Sequence, residues 1–234
     1  MSSLFDPSPA PFWHMITRLG EAQVMLPAAF ATLAWLALRP SGRPLVGWWL
    51  VTMTVAVVIT TATKIAFIGY GWGLASIDFT GISGHAMFAA VVYPLLARVL
   101  TAAQPASRQR VAVGTAYLLA LLIGISRLKV SAHSGSEVVA GLALGGAASA
   151  AVLWLARAPT LQLPLWLPLS VGLSLLALGG AAPPSRTHDM VTRIALTLSG
   201  RTVPYTRHDL LRPPLGIEHP PLRRRLELLA PAPH

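Results

Sequence analysis

Apolar stretches of about 20 residues, the length that crosses a bilayer core, recur along this chain with few charges inside them. Six can be drawn: Ala22–Leu38, Leu45–Thr63, Ala86–Leu100, Val111–Ile125, Val138–Leu155 and Leu163–Ala182. With 54% hydrophobic residues, 11% charged and a mean hydropathy of +0.61, the 234 residues cannot furnish a water-soluble surface. The expected fold is an all-α, polytopic membrane protein. Six transmembrane helices occupy residues 1–182, and an Arg/Pro-rich C-terminal tail follows over 183–234.

The charges orient such a bundle. If all six stretches cross, one face carries Arg39, Arg43, Arg98, Arg108, Arg110 and Arg157 with no acid, whereas Lys64, Asp78, Arg127, Lys129 and Glu137 fall on the other. The positive-inside bias makes the arginine-only face cytoplasmic, so the 69–85 and 126–137 loops, the N terminus and the tail face the periplasm or outside of an inner (plasma) membrane of bacterial type. Residues before the first stretch include Asp6, Pro7, Pro9, Pro11 and Glu21 and lack the basic start of a secretory signal, so they are expected to stay in the mature protein. No cysteine is present, which excludes disulfides and thiolate catalysis. The net charge of +10 is spread over loops and tail without a contiguous basic domain, and so speaks for membrane orientation and anionic head groups and against nucleic acid. In the tail, Asp189–Leu198 reads as a short amphipathic helix, and Pro213–Pro214 and Pro220–Pro221 as extended chain. A solvated or interface-lying tail is the simpler expectation. A lid over the 69–85 loop is the sharper one.

Ionisable groups at membrane depth are costly and need a reason. Here they gather at Gly81-Ile82-Ser83-Gly84-His85, at the start of the third stretch, and from Ser126-Arg127 to His133 and Glu137, between the fourth and fifth. Lys64, at the end of the second stretch, joins them on the same face. Lys64 and Arg127 offer fixed positive charge, and a guanidinium grips phosphate bidentately. Ser83 and Gly84 open a helix, whose backbone N–H groups and dipole favour an anion. Of two imidazoles, one can attack phosphorus while the other protonates the leaving group. Glu137, four residues after His133, shares its face if the segment is helical and can hold the ring N–H. Cationic side chains and N–H groups suffice for the equatorial oxygens, so neither metal nor cofactor is required.

These residues resemble the motifs of the phosphatidic acid phosphatase type 2 superfamily of membrane phosphatases. Its second motif, Pro-Ser-Gly-His, appears as Ile82-Ser83-Gly84-His85. Its third, Ser-Arg with a His six beyond the Arg and an Asp four further on, appears as Ser126-Arg127, His133 and Glu137. The resemblance implies His133 as nucleophile, His85 as general acid, Glu137 as the group that orients His133, and Lys64, Ser83, Gly84, Ser126 and Arg127 as phosphate-binding residues. It further implies a phosphohistidine intermediate and a lipid or polyprenyl phosphate or diphosphate as substrate, such as phosphatidic acid, phosphatidylglycerophosphate, undecaprenyl diphosphate or lipid A. Three positions depart from the pattern. Ile82 replaces Pro, Glu137 replaces Asp, and Gly71-Trp72 stand where the first motif, Lys followed seven residues later by Arg-Pro, has its Arg-Pro. Lys129, Asp78 or a tail arginine such as Arg186 or Arg193 is the expected source of compensation or of an altered substrate choice, and the sequence does not select among them.

Other histidines (His14, His188, His208, His219, His234) lack partners at ligand spacing, and Trp48, Trp49 and Trp154 fit an interface belt. Two other functions stay open on the same fold: a phosphotransferase that hands the group to a lipid or sugar acceptor, and a catalytically silent transporter or scaffold. The sequence does not fix the oligomeric state.

Overall fold

A computed structural model of the protein describes residues 11–156 and 187–211, with the isolated positions 164, 172 and 173. The described residues are helical apart from turns and one isolated bridge between Leu74 and Phe79. In chain order they form α1 (Pro11–Arg18), α2 (Ala22–Ala37), α3 (Arg43–Tyr70), α4 (Gly84–Leu100), α5 (Ala106–Lys129), α6 (Gly135–Leu155), α7 (Thr187–Ser199) and α8 (Arg207–Leu211).

Four segments are long and apolar enough to cross a membrane: Pro11–Ala37, Pro40–Tyr70, Ala106–Lys129 and Gly135–Leu155. The six-span expectation is met only that far. Helix α4, at 17 residues, is shorter, and the stretch Leu163–Ala182 lies almost wholly outside the described residues. The short α4 has a physical reason. At 1.5 Å per residue it extends roughly 25 Å, but it is the central helix, buried on nearly all sides, from Ala86 and Met87 through Val91, Val92 and Leu95 to Val99. A helix that is apolar all round belongs inside. Lipid contact falls to its neighbours, which expose Val51, Val55 and Val58 on α3, Val111 and Leu118 on α5, and Val139 and Trp154 on α6.

Between apolar helices in an apolar solvent, close approach depends on small residues and interhelical hydrogen bonds. On α6, Gly141, Gly145 and Ser149 recur every fourth residue and lie on α4. A Cβ on Gly141 would come within 3.1 Å of Ala86 Cβ, and one on Gly145 within 2.9 Å of Ala90 Cβ. The Ser149 hydroxyl donates to the Ala90 carbonyl at 2.7 Å. This seam fixes the height of α6 against α4, and with it the residues at their shared end.

Helix α3 outruns the expected Leu45–Thr63 stretch by nearly two turns, so Lys64 is a half-buried interior residue of the helix, not its last polar group. The helix stops at Gly71, whose φ of 72° is the left-handed conformation glycine adopts freely; Gly71 N–H bonds the Phe67 carbonyl and Trp72 N–H the Ala66 carbonyl. Trp49 is fully buried in the core, so the interface belt does not include it, while Trp48 and Trp154 are exposed. Helix α1 was not expected. Its eight residues pack Ile16 and Thr17 inward beside α5.

The expected amphipathic helix of the tail is α7, which lays Val191 and Ala195 on Phe67 and Ile68 of α3. Tyr205 N–H bonds the Ile68 carbonyl at 2.9 Å and Tyr70 Oη the Leu198 carbonyl at 3.1 Å. The described part of the tail therefore docks on the bundle, at the end that carries the polar loops. Pro213–Pro214 and Pro220–Pro221 lie outside the described residues.

Candidate active site

Alternating helix directions bring the C-terminal ends of α3 and α5 and the N-terminal ends of α4 and α6 to one end of the bundle, with the α1–α2 elbow and the docked tail. There they enclose a cavity of about 700 Å³ lined by Lys64, Gly84, His85, Arg127, His133 and Arg207, among others. Both histidines expected to act together thus face one cavity.

Each side chain is held by a local rule. Ser134-Gly-Ser-Glu137 is a capping box at the start of α6. Ser134 N–H donates to Glu137 Oε2 at 3.2 Å, and Glu137 N–H reaches Ser134 Oγ at 3.5 Å. The cap aims the carboxylate back over the loop, where Oε2 meets His133 Nδ1 at 2.6 Å. Nδ1 is thereby occupied, and Nε2 is the ring nitrogen left for a reacting atom. Glu137 is fully buried, and Oε1 also accepts from Thr80 N–H at 2.8 Å and from the Thr80 hydroxyl. His133 lies in the connection before α6. Burial pulls its proton affinity below that of ordinary imidazole, against the opposing pull of the Glu137 hydrogen bond.

Ser83 precedes α4, whose first helical bond runs from Met87 N–H to the Ser83 carbonyl. The amides of Gly84, His85 and Ala86 thus stand ahead of the hydrogen-bonded turn, as in any helix N-terminus. Lys64 Nζ sits beside them, 3.8 Å from where a Gly84 Cβ would be. Gly81, with φ 146°, lets the loop pass against Lys64, whose Cγ a Cβ there would approach to 3.0 Å. Arg127 Nη1 donates to Thr17 Oγ1 of α1 at 2.6 Å. The elbow at Gly20 also covers His85, since a Cβ on that glycine would lie 3.2 Å from both His85 Cβ and the ring carbon Cδ2.

Two expected residues sit differently. Ser126 is buried and donates to the Ile123 carbonyl at 2.6 Å, so its hydroxyl is spent within α5 and does not line the cavity. Ser83 is buried as well; its N–H donates to the Glu137 carbonyl at 3.1 Å, and its hydroxyl, without a hydrogen-bond partner among the described residues, does not line the cavity. Ile82, in place of Pro, uses the N–H that proline lacks to reach Thr63 Oγ1 at 3.1 Å.

The cation nearest the histidine pair's support is a tail arginine, as expected in kind, but neither of the two named from the sequence. Lys129 and Arg193 are exposed and outside the cavity, and Arg186 is outside the described residues. Arg207, at the start of α8, fills the position instead. Its Nη2 lies 2.9 Å from both Glu137 oxygens, while Nη1 pairs with the Asp78 carboxylate and reaches the Asp78 carbonyl at 3.2 Å. Burial lowers its proton affinity, but the two carboxylates outweigh this and the net direction is upward. His188, expected to be idle, also lines the cavity. The only sequence cue to Arg207 is Thr206-Arg-His-Asp209, a helix-start signature in which Thr206 N–H donates to Asp209 Oδ2 at 2.8 Å.

A helical membrane bundle with the imidazoles of His85, His133 and His188 and the basic side chains of Lys64, Arg127 and Arg207 around one end-on cavity is a setting for phosphoryl chemistry. The PAP2 superfamily model matches residues 68–160, which hold α4 with His85, α5, the connection that carries His133, and α6. A protein of Klebsiella pneumoniae described as an uncharacterized 22.5 kDa protein in the cps region is 37% identical over 208 residues, covering 85% of this chain and 97% of that protein. This chain belongs to the PAP2 superfamily. Among solved structures none matches it.

Proposed function

We propose that the protein hydrolyses a lipid or polyprenyl phosphate or diphosphate through a phosphohistidine on His133, at the periplasmic face of the inner membrane. The reading is carried by the His133–Glu137 hydrogen bond in a cavity shared with His85, Lys64 and Arg127. Glu137 holds Nδ1–H, so the Nε2 lone pair forms the N–P bond as the bond from phosphorus to the leaving oxygen breaks, an alkoxide oxygen in a monophosphate and the bridging phosphate oxygen in a diphosphate. His85, doubly protonated when the anionic substrate is bound beside it, gives one ring proton to that oxygen and becomes neutral. Neutral His85 then takes a proton from water, whose oxygen attacks phosphorus. The N–P bond breaks, its electron pair returns to Nε2, and inorganic phosphate leaves. Lys64, Arg127 and the amides at the start of α4 neutralise the equatorial oxygens throughout.

Burial that lowers the proton affinity of His133 supports the same role, because the attacking ring must be neutral. The periplasmic assignment rests on charge: Arg39, Arg43, Arg98, Arg108 and Arg110 lie toward the opposite end of the bundle. A substrate anchored in the bilayer fits a site at the ends of spanning helices. The test is phosphate release from several lipid phosphates by purified protein, with trapping of acid-labile phosphoprotein. His133→Ala is expected to lose both. A folded His133→Ala protein with full turnover removes the nucleophile assignment, and label passing to an added acceptor in place of water converts the reading to a phosphotransferase.

A further inference from the structure

The tail arginine invites two opposite readings. Because Arg207 lines the cavity, the first reading has it grip the phosphate directly, beside Lys64 and Arg127. Its hydrogen bonds argue otherwise. Both ends of the guanidinium fork are already committed to protein acids: Nη2 to the Glu137 carboxylate, and Nη1 to the carboxylate and backbone carbonyl of Asp78. The side chain is about a third exposed, at 34%, while its partner Glu137 has no exposure at all. An incoming phosphate would have to break a bidentate contact with a fully buried carboxylate, and that carboxylate would then lack its charge partner.

We infer that Arg207 is a positioning residue, through which the C-terminal segment 187–211 fixes the Glu137 carboxylate against the His133 ring and so completes the site. The inference rests on the phosphatase reading for its consequence in turnover, but its geometry does not. Glu137 has one oxygen turned to His133 and Ser134 and the other to Thr80. Arg207 Nη2 is equidistant from both oxygens, at 2.9 Å, and so ties down the rotation of the carboxylate plane about its last bond. The arginine is itself placed by contacts that belong to the tail and to the α3–α4 connection. Asp78 holds its outer end from a left-handed turn with φ 50°, and the Tyr205 amide anchors the preceding residues to the end of α3. Undocking the tail withdraws Arg207 and leaves a buried carboxylate without its charge partner, held by Thr80, Ser134 and His133 alone. Orientation of the nucleophile thereby depends on a segment outside the matched span 68–160.

The experiment uses the full chain, purified in detergent micelles and labelled with 15N-histidine. The His133 Nδ1–H proton in its short bond to Glu137 gives a far-downfield resonance, assigned by its loss in His133→Ala. Arg207→Ala is expected to broaden or abolish that resonance and to lower kcat on micellar dioctanoyl phosphatidic acid by about 10- to 100-fold with little change in KM, as loss of nucleophile orientation predicts. Arg207→Lys, which keeps the charge but not the fork, is expected to keep the resonance with a smaller loss in kcat, and it carries the test if the alanine variant does not fold. Arg193→Ala, on the exposed face of α7, should change neither readout. A sharp, unmoved resonance with unchanged kcat in both Arg207 variants overturns the inference. So does a large rise in KM at constant kcat, which would make Arg207 a phosphate-gripping residue. If wild type shows the resonance, Arg207→Ala loses it, and neither hydrolyses any lipid phosphate, the positioning role stands and the phosphatase reading falls.

Discussion

Replacing Glu137 by glutamine isolates what the buried carboxylate contributes. It accepts from five donor groups: Thr80 N–H, the Thr80 hydroxyl, Ser134 N–H, His133 Nδ1 and Arg207 Nη2. A carboxamide can accept at one oxygen only. With its NH2 toward Thr80, a buried backbone N–H and a hydroxyl lose their acceptor. With its NH2 toward His133, Nδ1 must become an acceptor, which moves the ring proton to Nε2 and removes the lone pair that attacks phosphorus. At about 1–3 kcal/mol for each buried donor left unmatched, two mismatches predict a stability loss of roughly 2–6 kcal/mol, and the wrong tautomer a fall in kcat on the order of 10³-fold or more. The pH profile adds a sign. His133 must be neutral to attack, and Glu137 raises its proton affinity against the pull of burial. Losing the carboxylate lowers that affinity further, so the fall in rate on the acid side moves to lower pH, by about one unit if a charged hydrogen bond worth ~1.5–3 kcal/mol is partly replaced. Phosphate release followed from acid to alkaline pH, with a thermal melt in the same detergent, measures both. A glutamine variant with wild-type kcat and an unmoved acid limb would refute the orienting role and the tautomer assignment together.

Two further substitutions test the frame that carries the site. Gly145→Val drives a branched side chain into the Met87 carbonyl and Ala90 across the α4–α6 seam; overpacking of this kind costs about 1–3 kcal/mol, so the melting temperature in detergent should fall, and an unchanged melt denies the seam. Tyr93→Phe removes the hydroxyl that donates to the Leu19 carbonyl at 2.7 Å beneath the α1–α2 elbow; a loss of about 1 kcal/mol in stability is expected, together with faster proteolysis near Gly20, and neither change would be seen if the elbow were held by packing alone.

Hydrophobic run length exposed the helices readily, because span length and apolarity are properties of consecutive residues. The ends were less legible. A charge normally marks a membrane boundary, which ends the expected second span at Thr63, just before Lys64, whereas α3 carries Lys64 inward to the cavity and ends only at Gly71. His133 and Glu137 were legible as a pair because four residues is one helical turn, and the capping box is written in Ser134-Gly-Ser-Glu137. The Gly141, Gly145 and Ser149 repeat is equally local, but a reading based on apolarity passes over small residues. Ser126 was assigned by its place in a motif, and only packing reveals that its hydroxyl turns back to Ile123. Arg207 illustrates the limit: it meets Glu137 from 70 positions away and Asp78 from 129. No local pattern distinguishes it from the other tail arginines.

The glycine at 71 and the arginine at 207 are two sides of one arrangement, and this can be tested by restoring the expected residue. Gly71 ends α3 with φ 72°, and the ring of Tyr205 lies 3.2 Å from the point where a Cβ would be. An arginine there would pay roughly 1–2 kcal/mol for the left-handed backbone and would also push on the residue whose N–H anchors the tail to Ile68. Gly71→Arg should therefore loosen the segment that brings in Arg207, and not supply a second guanidinium to the same site. The double variant Gly71→Arg, Arg207→Ala is expected to be no more active than Arg207→Ala alone, and less stable in a thermal melt. Recovery of turnover in the double variant would mean that position 71 can reach the cavity after all, and that the tail arginine is a replacement for a phosphate-gripping group rather than a support for Glu137.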